Sequence, residues 1–470
     1  MKRYLYILVV AALCSSCSVY QKYSRPQIET DKLYGTAMSV DSINIADIDW
    51  RTFFTDPHLQ RLIEQGLENN SDLQIAVQRV KEAEASLRTA KLAFYPSVAF
   101  APSFGGETRK GYSANSYSLP LSATWDIDAS GRLLNSKRNA QAVYEQSHLY
   151  RQSVQTALVA SIANSYYTLL MLDAQLGISR TTAASWKENV RIMKAMKQAG
   201  MTNEASVSQT EANSCSIDAS LFDLEFDIIE VENALALLIG TTPQKFERGT
   251  IKSQNFTPEL GVGIPSQLLA YRADVRMAEN NLKQAFYQTN IAKGAFIPSL
   301  TLGGTLGWQD QFGKAITSPA SWVASFTLKL ATDLFKAGQK HANLQIAKAK
   351  QEQALIAFRQ TLLQAGSEVN DALAQCQTAR NKKSVRSQQI EALERAVSST
   401  KQLMSHSEST YLEVLTAQQA LLSAQLSQVK DHFEGIQGVI NLYCALGGGV
   451  DHNEDISTLP KRTKTRKAKK

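Results

Sequence analysis

The chain is predicted to be a mainly α-helical protein with a β-barrel part, an internally duplicated protomer of long coiled-coil helical hairpins and two β-hairpins. Three observations predict this class. The sequence repeats itself at a fixed offset, the hydrophobic period inside each copy switches from helical to alternating and back, and the helical stretches outrun any globular core. The chain is 470 residues long, so burying a core is no difficulty.

The repeat is read directly. Residues 90–97, AKLAFYPS, match 292–299, AKGAFIPS, at an offset of 202, which also pairs Asp72 with Asp274 and Ala76 with Ala278. Downstream, Asp126 and Gly131 match Asp333 and Gly338 at an offset of 207, and Gly240 matches Gly447. The boundaries that follow are a first repeat over 58–240, a linker over 241–265, a second repeat over 266–447, and flanking segments 17–57 and 448–470.

Each repeat opens with a helix. From His58 to about Leu92 there is no proline, and Leu59, Leu62, Ile63, Leu67, Leu73, Ala76, Val77 and Val80 form one stripe. The period then becomes two. Val98, Phe100 and Phe104 precede a turn expected from Gly105-Gly106 through Asn115, after which Leu119, Leu121, Ala123, Trp125 and Ile127 alternate with polar residues. In the second copy Leu300, Leu302, Leu306 and Trp308 form one strand, and Phe326, Leu328 and Leu330 alternate with Thr327 and Lys329. These are β-hairpins at about 97–128 and 299–331. Alternation puts Trp125, Phe326, Leu328 and Leu330 on a lipid-facing side and Thr124, Thr327 and Lys329 on the other, with Trp125, Trp308 and Trp322 as interface aromatics. Half-buried strands of an ordinary antiparallel sheet would alternate in the same way.

The stretch after each hairpin is a coiled-coil seam. Leu158, Ile162, Ser165, Leu169, Leu172 and Leu176 step by fours and threes, and their partners are Ala365, Val369, Ala372, Cys376, Ala379 and Lys383. A second seam runs Cys215, Ala219, Phe222, Phe226, Ile229, Asn233, Ala236, matched by Leu422, Leu426, Val429, Phe433, Ile436, Ile440, Tyr443. The helices should reverse near Gly200 and Ser407. From Arg132 to Gly200 an unbroken helix extends on the order of 100 Å at 1.5 Å per residue, a length suited to spanning something.

Lys2-Arg3, the apolar run Tyr4–Leu13 and Ser15-Ser16 before Cys17 form an export-signal layout, with 1–16 as signal peptide. Cleavage before Cys17 resembles bacterial lipoprotein processing, in which the new terminal cysteine carries lipid; Cys14 stands where that pattern prefers leucine. Cys215, Cys376 and Cys444 cannot all pair, have no CxxC spacing, and are read as small buried residues. The net charge is +7, yet residues 461–470 alone hold seven basic residues and no acid. A nucleic-acid partner is thereby excluded, and the tail is a solvated polybasic segment. The six histidines are scattered, with no HExxH and no phosphate loop, so neither an enzyme, a metal site nor a cofactor is expected.

These features resemble the TolC-type outer-membrane efflux family, specifically its NodT-like lipoprotein branch serving resistance-nodulation-division pumps. The resemblance rests on Trp50-Arg51-Thr52-Phe53-Phe54-Thr55-Asp56-Pro57 with Leu59, on Asn70-Ser71-Asp72-Leu73 with Ala76, and on Pro265-Ser266-Gln267-Leu268-Leu269 running into Arg272-Ala273-Asp274-Val275. It implies a homotrimer with a shared twelve-stranded outer-membrane barrel and a periplasmic α-barrel, lipid-anchored at Cys17, passing small molecules delivered by an inner-membrane pump through a periplasmic adaptor. It further implies that Gly200, Met201 and Thr202, with Ser407, form the tip that meets the adaptor, and that Glu413 in Tyr411–Gln418 lines the periplasmic gate. Two other readings stay open: an outer-membrane channel for type I protein secretion, and a lipidated periplasmic scaffold without a pore.

Overall fold

The two copies share three helices of identical length around a β-hairpin. The structure, a computed structural model, describes residues 22–28, 33, 48–110, 112–254, 271–310, 322–332, 337–405 and 411–448. Helices α1 (Trp50–Phe53) and α2 (Pro57–Asn69) lead into α3 (Ser71–Leu92). Strands β1 (Ser97–Phe100), β2 (Ser103–Arg109) and β3 (Tyr112–Ile127) follow, then α4 (Arg132–Gln198) and α5 (Glu204–Leu238). The second copy runs α6 (Ala273–Gly294), β4 (Ser299–Asp310), β5 (Trp322–Ala331), α7 (Gln339–Ser405) and α8 (Tyr411–Ala445). Helices α3 and α6 both have 22 residues, α4 and α7 both 67, α5 and α8 both 35.

The repeat extends to single backbone bonds. Past α5, Gly240 N donates to Leu237 O (3.2 Å) and Thr241 N to Ala236 O (2.9 Å); past α8, Gly447 N donates to Cys444 O (3.0 Å) and Gly448 N to Tyr443 O (2.9 Å). This closure needs a left-handed residue, and both glycines have positive φ, 70° and 98°. A Cβ on Gly240 would lie 2.8 Å from Asn69 O, and one on Gly447 2.9 Å from the carbonyl carbon of Tyr271.

The chain divides into two compact units, one drawn from Met1–Ile28, Val77–Tyr150 and Asp274–Thr361, the other from Glu29–Ala76, Arg151–Ala273 and Leu362–Lys470. The first holds the strands. The second holds the main core, in which Trp50, Phe54, Leu59, Ile63, Ile162, Tyr166, Leu169, Leu235 and Ile440 are buried together.

Four expectations need correction. The helix over His58–Leu92 is two helices, because Asn70 leaves helical geometry (ψ 127°); its side chain accepts from Leu73 N (3.0 Å) and donates to Leu238 O (3.0 Å). Gly105-Gly106 is not a turn: both lie inside β2, paired with Ser116 and Asn115, and the β2–β3 ladder continues to Arg109 and Tyr112. The seam Cys215–Ala236 is misplaced except at its last residue, Ala236, which is buried. Val207, Thr210, Ser214, Ile228, Glu232 and Leu235 are the buried line of α5, whereas Cys215, Phe222, Phe226 and Ile229 are exposed, so Cys215 is no core cysteine. Lys383, at the end of the other expected seam, is exposed; Cys376 and Cys444 are partly buried, and burial pushes both thiols up.

Candidate channel surfaces

The strands form one antiparallel sheet in the order β1-β3-β4-β5, with β2 continuing β1 along β3. The interruption between β1 and β2 falls at Ala101-Pro102, opposite Pro120. A proline has no N–H to give the ladder, and the neighbouring strand breaks where that donor is missing. On its other side Pro120 pairs with Gly307, where a Cβ would run into the Leu119 carbonyl. Gly307 is therefore a close-packing residue.

Residues directly opposite in a sheet point to the same face. The register aligns Ile127, Leu300 and Leu330 in one row, then Trp125, Leu302 and Leu328, then Val98, Ala123, Gly304 and Phe326, then Phe100, Leu121, Leu306 and Ala324, then Leu119, Trp308 and Trp322. These five successive rows are apolar, and the next on that face is Phe104, Tyr117 and Asp310. The alternate rows are Asp126-Thr301-Lys329, Ser97-Thr124-Gly303-Thr327, Ala99-Ser122-Thr305-Ser325 and, at the proline, the apolar Pro120-Gly307-Val323. Thr301 Oγ1 donates to Asp126 Oδ1 at 2.8 Å within the first of these. The expected sets, Trp125, Phe326, Leu328 and Leu330 against Thr124, Thr327 and Lys329, thus fall on opposite faces. The apolar set is exposed in the protomer. Trp125 Nε1 donates to Phe94 O at 2.9 Å near one end of β3, and the Trp308–Trp322 pair lies six residues further along β4 than the partner of Trp125, about 20 Å at ~3.4 Å per residue. Among the described residues, the β1/β2 and β5 edges have no strand beside them.

The first helical hairpin turns between Gln198 and Glu204. Gly200 has φ 75° and open space around it; Gly200 N donates to Lys197 O (3.0 Å) and Met201 N to Met196 O (2.9 Å). Asn203 caps α5, its side chain accepting from Ser206 N at 3.0 Å. Met201 is exposed and Thr202 half-buried. Behind the turn an ion ladder joins α4 to α5: Lys197–Glu204, then Lys194–Glu211 (2.7 Å), Lys187–Asp218 (3.0 Å) and Arg180–Glu225 (2.8 Å). The last three rungs step by seven residues on each helix. Ser407, the matching position in the second copy, and Cys17 lie outside the described residues.

Glu413 is an exposed side chain in the first turn of α8. The line of burial there is Val414, Leu415 and Gln418; Leu412 is exposed, and Gln418 accepts from Asn189 Nδ2 of α4 at 2.8 Å.

Sequence reasoning passed over the polar ties of the linker. Asp56, buried, accepts from Tyr166 Oη (2.6 Å), Gln254 Nε2 (2.8 Å) and His58 N (2.9 Å), and burial with this bond holds the Tyr166 phenol well above its ordinary value. Arg248 binds Asp173 (2.5 and 3.0 Å) and Glu232 (2.5 Å), and Arg272 holds Glu368 (2.7 Å) and Ala445 O (2.9 Å). Asp56 and Arg272 belong to the motifs, but their side-chain partners Tyr166, Gln254 and Glu368 stand more than 90 positions away.

A family of known proteins shares this arrangement. The outer membrane efflux protein family matches residues 62–241 and 264–448. The chain is 29% identical over 449 residues to the cation efflux system protein CusC of Escherichia coli O6:H1, covering 94% of this chain and 97% of that protein. It is 29% identical over 462 residues to the solvent efflux pump outer membrane protein SrpC of Pseudomonas putida, covering 95% and 97%. A crystal structure of CusC superposes with a TM-score of 0.83 at 27% identity, over 92% of this chain and all of that one. The two internal repeats, the shared sheet and this similarity along nearly the whole chain make it a member of the outer membrane efflux protein family.

Proposed function

We propose that the chain is the outer-membrane channel of a tripartite efflux system, a passive conduit for small molecules. Three copies close a twelve-stranded barrel, each adding the interrupted β1/β2 strand, β3, β4 and β5, while the helical hairpins form the periplasmic duct. One observation carries this reading: a sheet with one face apolar in five successive rows and, among the described residues, both edges unpaired. Such a sheet cannot persist in lipid alone, because open edges leave backbone groups unsatisfied there, and only closure with further strands removes them. The names of the relatives, cation efflux and solvent efflux, favour export of small molecules over protein secretion and differ from each other in cargo.

In this reading Trp125, Phe326, Leu328 and Leu330 meet lipid, and lipid on Cys17 adds a second anchor. Gly200, Met201 and Thr202, with Ser407, dock a periplasmic adaptor that links the channel to an inner-membrane resistance-nodulation-division pump. Glu413 from three copies places carboxylates at the periplasmic gate, where they attract cations. Single cysteines decide the central point. In outer-membrane vesicles, a cysteine at Leu328 should react with a lipid-soluble maleimide and resist a charged thiosulfonate, and one at Thr327 should do the reverse. Equal reactivity of both positions with the charged reagent would refute the barrel assignment. Pull-down of the tagged trimer should bring the adaptor with it, and a secretion channel would bring a different inner-membrane partner.

A further inference from the structure

The helical unit contains a half-enclosed cavity of about 930 Å³ that the conduit reading does not use. Its walls come from α4 (Leu170 to Thr182), the linker over 249–254, and the α7 and α8 pair. The floor is aliphatic, with Leu170, Ala174, Ile178, Val429, Ile436 and Val439. The size lies at the upper end of the range of about 300–1,000 Å³ usual for pockets that enclose small organic molecules.

The charges of the lining do not cancel. Its two carboxylates are already engaged: Asp173 by Arg248 (2.5 and 3.0 Å), Asp431 by Arg386 (2.8 Å) and Lys382 (3.3 Å). Three further cations, Lys252, Arg380 and Lys383, make no ion pair among the described residues, and all three are exposed. Arg380 and Lys383 are three residues apart on α7, so both side chains lie on one side of the helix and can reach one anion. His432, across from them on α8, adds no charge at neutral pH, because burial and then the Lys383 ammonium hold its imidazole below the usual histidine range. Gln425 and Gln428 supply neutral hydrogen-bonding groups at the wall.

We propose that this cavity binds an amphipathic organic anion, its apolar body on the aliphatic floor and its carboxylate or sulfonate against Arg380 and Lys383. A cation would face the uncompensated positive charges. A small polar anion would gain nothing from the floor, which loses its contact with water only when an apolar body covers it. The site is built within one protomer, so it stands or falls separately from the channel reading.

Calorimetry on the full-length trimer in polymer nanodiscs tests it, with dodecanesulfonate and dodecyltrimethylammonium as probes below their micellar concentrations and empty nanodiscs as the blank. The expected result is saturable binding of the sulfonate at one site per protomer, no saturable binding of the trimethylammonium, and affinity reduced at least tenfold in Lys383→Glu and in Arg380→Glu. Both side chains are exposed, so these variants should keep the heat-modifiable trimer band. Should either lose it, Lys383→Gln and the comparison of the two probes on the unaltered protein still decide. Equal binding of the two probes, no saturable sulfonate binding, or undiminished affinity in the folded charge variants would each overturn the proposal.

Discussion

Helices α5 and α8 occupy the same place in the repeat, have the same 35 residues, and treat the same positions in opposite ways. In α5, Phe222, Phe226 and Ile229 are 72%, 63% and 53% exposed. Their counterparts in α8 are Val429 and Phe433, both packed against the main core, and Ile436, 3% exposed within it. Three large side chains at coiled-coil spacing are rarely left to water, and such a patch marks a surface that another chain covers. Duplication has supplied two equivalent apolar stripes. The second copy spends its stripe on the protomer's own core, and the first leaves its stripe exposed on the protomer.

The comparison breaks most visibly at its buried member. Ile436→Asp should cost roughly 2–3 kcal/mol, because a carboxylate would replace an aliphatic core side chain that is 3% exposed, and circular dichroism of the purified protein should show a lowered melting temperature of the protomer. Ile229→Asp, at the same repeat position, should leave the helical signal intact and abolish the heat-modifiable trimer on gels. If Ile229→Asp assembles normally, α5 does not bear the contact. On the strands, Leu328→Arg should cost roughly 2–4 kcal/mol and reduce assembled trimer, whereas Thr327→Arg should assemble at ordinary yield. A softer version of the helix test is Phe222→Ala with Phe226→Ala, which should weaken trimer against denaturant by up to about 1.5–3 kcal/mol per ring with no change in protomer melting. Smallest are the glycines. Gly200→Ala should cost only the left-handed strain, about 1 kcal/mol, since no atom lies within 4 Å, while Gly240→Ala adds a collision with Asn69 and should cost measurably more in thermal denaturation.

Much of this architecture was legible because offsets and periods are properties of sequence alone. The offsets of 202 and 207 anticipated equal helix lengths, and strict alternation sorted Leu328 from Thr327. The errors have a common origin. A heptad pattern shows that Phe222, Phe226 and Ile229 lie on one stripe, but it does not say which chain covers that stripe, and α5 has a second line through Ser214, Ile228 and Leu235 that takes the internal contact. Asn70 ends α2 by hydrogen bonds to the backbone, one of them to Leu238, 168 residues away, so neither glycine nor proline announced the break. The β3–β4 register, which gathers the apolar residues of both copies onto one face, likewise joins segments some 180 residues apart and no local pattern reports it. The cavity lining comes from three separated stretches, which puts it beyond any motif.

The ion ladder between α4 and α5 sets a rule for how such a protein can change its reach. Removing one heptad from α4 between Arg180 and Lys194 shifts every rung above the cut unless the matching heptad between Glu211 and Glu225 goes as well. The equal helices of the second copy then impose the same pair of cuts there. Length in this molecule is therefore quantised and correlated: it changes in steps of seven residues, at four places in the gene at once, or the hairpins fall out of step.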